Sequence, residues 1–254
     1  MIVGLGAAGA CAAIEARQQG ASVAVLERFA GGGASAISGG VVYAGGGTDL
    51  QRQAQVEDDV EAMRAYLAEE IGDVVGGETL DRFCQGSADD IRWLQGLGLE
   101  FEASLCPDKT SYPNDDYFLY YSGNETAEPW RSRARPAPRG HRVKGRGLPG
   151  RNLFDPLRRE VERLEVDVHL HCRASELLSD DAGRVVGVAY RQIPPGFWAR
   201  VHSGIEAMAQ QVALFVPVVA RAVSGYLGAC PYTSEIGPLF YGARGGRLNA
   251  GVVQ

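Results

Sequence analysis

The run Gly4-Leu5-Gly6-Ala7-Ala8-Gly9 constrains this chain more than any other stretch because of what stands on either side of it. Ile2 and Val3 lead in as a short apolar strand. An Ala-rich run to Gln19 follows as a helix that Gly20 stops, and Ser22 to Leu26 reads as a second strand that Glu27 closes. Strand, glycine turn, helix, strand is the setting in which a G-x-G-x-x-G match means a βαβ dinucleotide cradle rather than a chance pattern. In that reading Gly4 makes the tight turn and Gly6 lets the backbone approach a pyrophosphate. Gly9 lets the helix pack on the strand, so that the helix N-terminus at Ala7 and Ala8 meets the phosphate charge. Glu27 lies 23 residues after Gly4, where its carboxylate can accept hydrogen bonds from adenosine ribose hydroxyls, and Arg28 beside it joins the same cofactor-binding set.

A second glycine-dense segment, Gly31 to Gly47, decides between dinucleotides. It is too glycine-rich for regular structure and too long for a mere turn, which suits a segment that wraps a ligand. A nicotinamide site needs no such wrap so soon after its acid, whereas a flavin site does, so FAD is the expected cofactor. Gly33, Ala34, Ser35 and Ser38 belong to this expected site: the two hydroxyls can hydrogen-bond phosphate or the polar edge of an isoalloxazine. Gly39 and Gly40 allow the ring to approach the backbone.

The rest of the chain reads as α/β: a Rossmann-like FAD-binding domain with a parallel central sheet and a β-meander, followed by an incomplete C-terminal lobe. Asp58 and Glu61 form a capping-box-like helix start with Val60, Met63 and Leu67 on one face. A second helix begins at Thr79 with Leu80, Phe83, Cys84, Ser87, Ile91 and Leu94 at helical spacing, and ends at Gly96 and Gly98. Glu100 to Gly150 is mostly loop. Leu153, Leu157, Val161 and Leu164 restore a helix; Val166 to Leu170, Ser175 to Leu178 and Val185 to Tyr190 read as strands of the meander. Ile205 to Val223 reads as a helix broken at Pro217. A soft boundary near residue 190 divides a cofactor domain, 1–190, from a C-terminal segment, 191–254.

Charge and composition set outer limits. A net charge of −6 argues against a general nucleic-acid binder. The locally basic stretch from Arg131 to Arg173, twelve Lys or Arg against five Asp or Glu, reads as a solvated, Pro-broken loop. Five scattered cysteines without a C-x-x-C or a histidine at ligand spacing read as reduced cytoplasmic thiols, with no metal site. The N-terminus lacks the pattern of a signal peptide, and Val212 to Val223 is too short and too interrupted to cross a bilayer. The expectation is a soluble, cytoplasmic protein.

Four further segments carry a resemblance: Gly32-Gly33-Ala34-Ser35-Ala36, Tyr43-Ala44-Gly45-Gly46-Gly47-Thr48, Tyr121-Ser122-Gly123-Asn124-Glu125 and Pro136-Ala137-Pro138-Arg139-Gly140-His141-Arg142. With the glycine turn they make residues 2 to 190 resemble the FAD flavoproteins of the fumarate reductase and succinate dehydrogenase type, and within them the 3-ketosteroid dehydrogenases that form the 4-ene. The resemblance implies that a flavin accepts hydride from a carbon of a small apolar substrate such as a 3-ketosteroid, while a tyrosine takes the proton beside the ketone and a hydrogen-bond donor stabilises the enolate. Tyr120 and Tyr121 are the candidate catalytic hydroxyls, and Ala174 matches a position whose backbone meets the adenine. Some relatives bind flavin covalently through a histidine in the wrap; Gly31 to Thr48 has none, so noncovalent FAD is expected. His141 reads as a surface side chain, and Asp115 with Asp116 as a solvated turn. Against the family pattern the first strand is clipped and the cap domain is missing, so the chain reads as truncated. A fumarate reductase-like flavoprotein and an inactive FAD- or nucleotide-binding fragment stay open as alternatives.

Overall fold

A computed structural model describes residues 1–213 and the backbone of 239–240. In chain order the elements are β1 (Ile2–Val3), α1 (Ala7–Gln18), β2 (Ala24–Leu26), α2 (Gly33–Ile37), β3 (Val41–Tyr43), α3 (Asp49–Gln53), α4 (Val60–Ile71), α5 (Gly77–Gly96), β4 (Leu119–Tyr120), α6 (Trp130–Arg133), β5 (Gly140–Arg142), α7 (Gly150–Arg163), β6 (Asp167–His169), β7 (Cys172–Ser179), β8 (Val185–Gln192), α8 (Phe197–Ala213) and β9 (Leu239–Phe240). They form two compact units, Met1–Gly33 with Val161–Gln254, and Ala34–Glu160.

The first unit is built on a parallel sheet in the order β1-β2-β6. Parallel strands are covered on both faces and read as unbroken apolar runs; Ala24, Val25 and Leu26 are accordingly buried without alternation. Helix α1 lays Ala10, Ala13 and Ile14, an i, i+3, i+4 stripe, into the core. It ends where Gly20 turns at φ +82° and the amide of Ala21 bonds back to the carbonyl of Ala16. Strands β7, β8 and β9 form an antiparallel sheet. The β7–β8 turn is held by Asp180, whose carboxylate accepts from the amides of Ala182 and Arg184. The segment Val166 to Leu170 belongs to the parallel sheet through β6 rather than to the meander: its alternation gives a strand, and only the pairing partner decides which sheet it joins.

The second unit holds an antiparallel sheet in the order β3-β5-β4 and the helix pair α4 and α5. Met63 of α4 packs with Leu80 and Cys84 of α5. Three expectations need correcting here. The segment Gly31 to Gly47 is not wholly irregular, since it contains α2 and β3. Asp59, not Asp58, caps α4, its side chain accepting from the amide of Ala62 at 2.7 Å. Helix α5 starts at Gly77 rather than Thr79, and Phe83 is 42% exposed, while Leu80, Cys84, Ser87, Ile91 and Leu94 are buried as the spacing predicts.

The helix expected over 205–223 begins at Phe197. The rest of that expected helix, 214–223 with Pro217, and separately Cys230 lie outside the described residues. No helix among the described residues is long and apolar enough to cross a membrane, and none of their His, Cys, Asp and Glu side chains group as a metal site.

Candidate functional site

The glycine turn of the first unit has the shape that a phosphate needs. Gly4 sits at φ +95°, and a Cβ on Gly9 would fall 1.9 Å from the carbonyl oxygen of Gly4, so only glycine lets α1 start this close to the strand. The N-cap of α1 is Gly6, which offers no side chain, and the first turn carries no acid. No capping side chain or first-turn acid therefore competes with an anion at this helix end, and the helix dipole adds partial positive charge. The arrangement fits the pyrophosphate of a dinucleotide.

Glu27 is buried at the end of β2, and its two oxygens are already engaged by the chain. The amide of Leu5 donates to Oε2 at 2.6 Å and that of Phe29 to Oε1 at 2.7 Å. An ionised carboxylate has about four lone-pair positions, so it can hold the turn in shape and still accept from a ribose. Gly32 closes the segment, its amide donating to the carbonyl of Leu5 at 2.7 Å. Arg28 lies over the ring of Phe29, 4.8 Å from its centroid, with a buried Nε that has no hydrogen-bond partner. Ala174, in β7, packs against Leu26, Cys172 and Val188, and lines a cavity of about 280 Å³ with Arg173, Ser175 and Arg191. Ala7 and Ala8 open α1 with Ala8 exposed.

The second unit gathers the other motifs into one buried polar network. Asp58 and Arg139, 81 residues apart, form a fully buried ion pair, with Nη2 donating to Oδ1 at 2.7 Å and Nε to Oδ2 at 3.1 Å. The amide of Gly46 and the side chain of Gln51 donate to the same carboxylate, and the Arg139 guanidinium lies 5.3 Å from the Tyr66 ring centroid. Glu125 accepts from the amide of Gly123 at 2.8 Å and from the Tyr43 hydroxyl at 3.2 Å; burial pushes both groups' pKa values upward. His141 is not a surface residue. It is fully buried in β5, with Nδ1 3.1 Å from the carbonyl of Arg139 and Nε2 2.9 Å from Thr48 Oγ1. A carbonyl only accepts, so Nδ1 carries the proton of the neutral ring and the Thr48 hydroxyl donates to Nε2.

The basic stretch is likewise more than a solvated loop, because Arg139 and Arg142 are both wholly buried. Arg142 Nη2 donates to Asp115 Oδ1 at 2.7 Å and to the carbonyl of Gly147 at 2.9 Å. Its guanidinium faces the rings of Tyr112 and Phe118. Asp115 therefore pairs with a buried cation instead of only marking a turn.

Within the glycine-rich segment, the Ser38 hydroxyl donates to the carbonyl of Ser35 at 2.9 Å and accepts from the amide of Gly40 at 3.0 Å. Gly39 has Tyr112 against it, whose hydroxyl donates to the Gly39 carbonyl. Ala34 and Gly33 lie exposed in α2. Tyr120 is 2% exposed with its pKa pushed up to about 12 by burial, and Tyr121 is half-buried with its pKa also raised by burial. The sequence reading missed Tyr66, Tyr112, Asp58 and Arg142 as network members. Asp58 and Arg142 stand in local patterns that suggest other roles and Tyr66 and Tyr112 in none, since each of the four has partners distant in the chain.

Comparison with known proteins adds family to geometry. The chain is 44% identical over 200 residues to the 3-oxo-5-alpha-steroid 4-dehydrogenase of Comamonas testosteroni, a match covering 77% of this chain and 38% of that protein. It is 28% identical over 205 residues to a probable fumarate reductase of Shewanella frigidimarina, covering 78% of this chain and 29% of that one. Among solved structures it resembles the 3-ketosteroid-delta4-(5alpha)-dehydrogenase of Rhodococcus jostii, determined in complex with 4-androstene-3,17-dione, with a TM-score of 0.72 and 38% identity over 75% of this chain and 41% of that chain. The chain thus spans about two-fifths of the length of these steroid dehydrogenases. A family model described as an FAD binding domain matches residues 1–213. With the glycine turn, the buried acid after β2 and this match in agreement, the chain belongs to the FAD binding domain family shared by flavoprotein dehydrogenases and reductases.

Proposed function

We propose that this chain is the FAD-binding part of a flavoprotein oxidoreductase that introduces a C=C bond beside the ketone of a 3-ketosteroid. The observation that carries the reading is the uncapped α1 N-terminus behind Gly4, Gly6 and Gly9, with Glu27 at the end of β2. The steroid enters through the relatives: one is named for dehydrogenating a 3-oxosteroid, and another was solved with a 3-ketosteroid. In this proposal Gly4, Gly6, Ala7, Ala8, Gly9, Glu27, Arg28, Gly33, Ala34, Ser35, Ser38, Gly39, Gly40 and Ala174 serve FAD. Its attachment is noncovalent, as the lack of a histidine from Gly31 to Thr48 suggests. Bound flavin supplies a hydride acceptor.

The chain's own residues act on binding and on the ketone oxygen. Burial raises the tyrosine pKa values, so Tyr120 and Tyr121 stay protonated at neutral pH. A protonated phenol serves better as a donor to a ketone oxygen than as a base. Tyr121, the more accessible of the two, is the one we assign to substrate. Free cysteines at 11, 84, 106 and 172 accord with a cytoplasmic setting, which is part of the same proposal, as is the division at residue 190.

The test is the visible spectrum of the purified chain before and after FAD addition, with heat release of the chromophore, followed by anaerobic addition of ketosteroid. A releasable flavin band that a 3-ketosteroid bleaches is the expected result. FAD bound but never bleached by any ketosteroid would leave a nucleotide-binding portion without turnover.

A further inference from the structure

Helix α8 carries an unusual stripe. Ala199, His202, Ser203 and Glu206 stand at i, i+3, i+4 and i+7, the spacing by which a helix buries one face. On that face His202 is 2% exposed and Glu206 5%, whereas Phe197, Trp198 and Met208 are 60% exposed or more. Burying a histidine and a glutamate while apolar side chains stay outside costs stability unless the polar groups have specific partners. This face packs on Phe29 and Ala30, in the segment that follows Glu27, and on His171. Glu206 Oε2 accepts from the amide of Ala30 at 3.2 Å. The His202 ring stacks on Phe29 with centroids 5.7 Å apart at 20°, and meets His171 edge-on at 5.3 Å. Ser203 Oγ is 3.2 Å from His171 Nε2, and the His171 amide donates to the carbonyl of Phe29.

The gripped segment is the one that shapes the nucleotide cradle. Phe29 donates its amide to Glu27, Glu27 receives that of Leu5 in the glycine turn, and Gly32 bonds back to Leu5. We infer that α8 is a positioning element of the dinucleotide site: Glu206 and His202 hold Phe29 and Ala30 so that Glu27 and the glycine turn are pre-formed for the adenosine half of the ligand. This rests on the proposed FAD-binding reading. It extends the site to residues that no glycine or ribose-acid pattern would mark. Pre-organisation of this kind acts on affinity, because the free chain no longer has to order the segment on binding.

The experiment uses the full 254-residue chain. Affinities for FAD, for ADP and for riboflavin 5′-phosphate are measured by flavin fluorescence and calorimetry in the unaltered chain, Glu206→Ala and Glu206→Gln. Amide hydrogen exchange is followed alongside. Loss of this part-buried hydrogen bond predicts FAD and ADP affinities weakened about tenfold in Glu206→Ala. Glu206→Gln, which keeps an oxygen acceptor, recovers most of that loss. Riboflavin 5′-phosphate affinity stays unchanged, and exchange rises at residues 28–33 but not at 34–160. Equal FAD and ADP affinities in all three chains overturn the inference while leaving the FAD-binding reading intact, as does a loss spread over all three ligands with exchange raised throughout. If Glu206→Ala does not fold, Glu206→Gln and the exchange of the unaltered chain decide: residues 28–33 exchanging as freely as exposed loops overturn it. An unaltered chain that binds neither FAD nor ADP removes the reading and the inference together.

Discussion

His141 gives the sharpest test of the buried network. Its ring is enclosed by β5 and Thr48, and burial lowers its pKa from 6.5 to about 4, with the Arg139 carbonyl and Asp58 only partly opposing. Because the folded pKa is below the unfolded one, the unfolded chain binds more protons between these values. Stability is therefore complete above pH 6.5 and is lost as the pH falls toward 4. Each pKa unit is worth about 1.4 kcal/mol, so the full fall from this residue is about 3 kcal/mol. The perturbation is His141→Gln, which cannot titrate and keeps one donor and one acceptor. Urea unfolding followed by circular dichroism at half-unit steps from pH 7.5 to 4 gives stability for both chains. Glu125, whose raised pKa acts with the opposite sign, and His171 and His202, whose lowered values act with the same sign, contribute to both curves. The difference isolates residue 141: the unaltered chain loses about 3 kcal/mol more than the variant over this range. Parallel curves would refute the buried neutral imidazole.

Two more outcomes test the rest of the frame. Asp58→Ala leaves Arg139 charged and unpaired in the interior, and a loss of about 3 to 5 kcal/mol in the same unfolding assay is expected; a loss below about 1 kcal/mol would mean that the pair is solvated. Gly9→Ala forces a methyl against the backbone carbonyl of Gly4, so a loss of about 1 to 3 kcal/mol in stability and of FAD uptake is expected, and unchanged flavin absorbance with unchanged stability would contradict the close helix–strand approach.

What the sequence determined alone is what local chemistry determines. The glycine turn, α1 with its stop at Gly20, the buried run Ala24 to Leu26 and the β7–β8 hairpin are written in periodicity and in residues with special backbone freedom, and a reader of the chain finds them at the right places. Tertiary structure alone decided how charged and aromatic side chains were used. His141 and Thr48 are 93 residues apart, and Arg139 and Asp58 are 81 apart. A Pro-rich basic stretch resembles a solvated loop until a carboxylate far along the chain is seen to neutralise it. The same holds for α8, where a histidine and a glutamate at core positions look out of place until the segment after Glu27 is found beneath them. Backbone preference is a property of neighbours in sequence, whereas the burial of a charge depends on a partner that only the folded chain brings within reach.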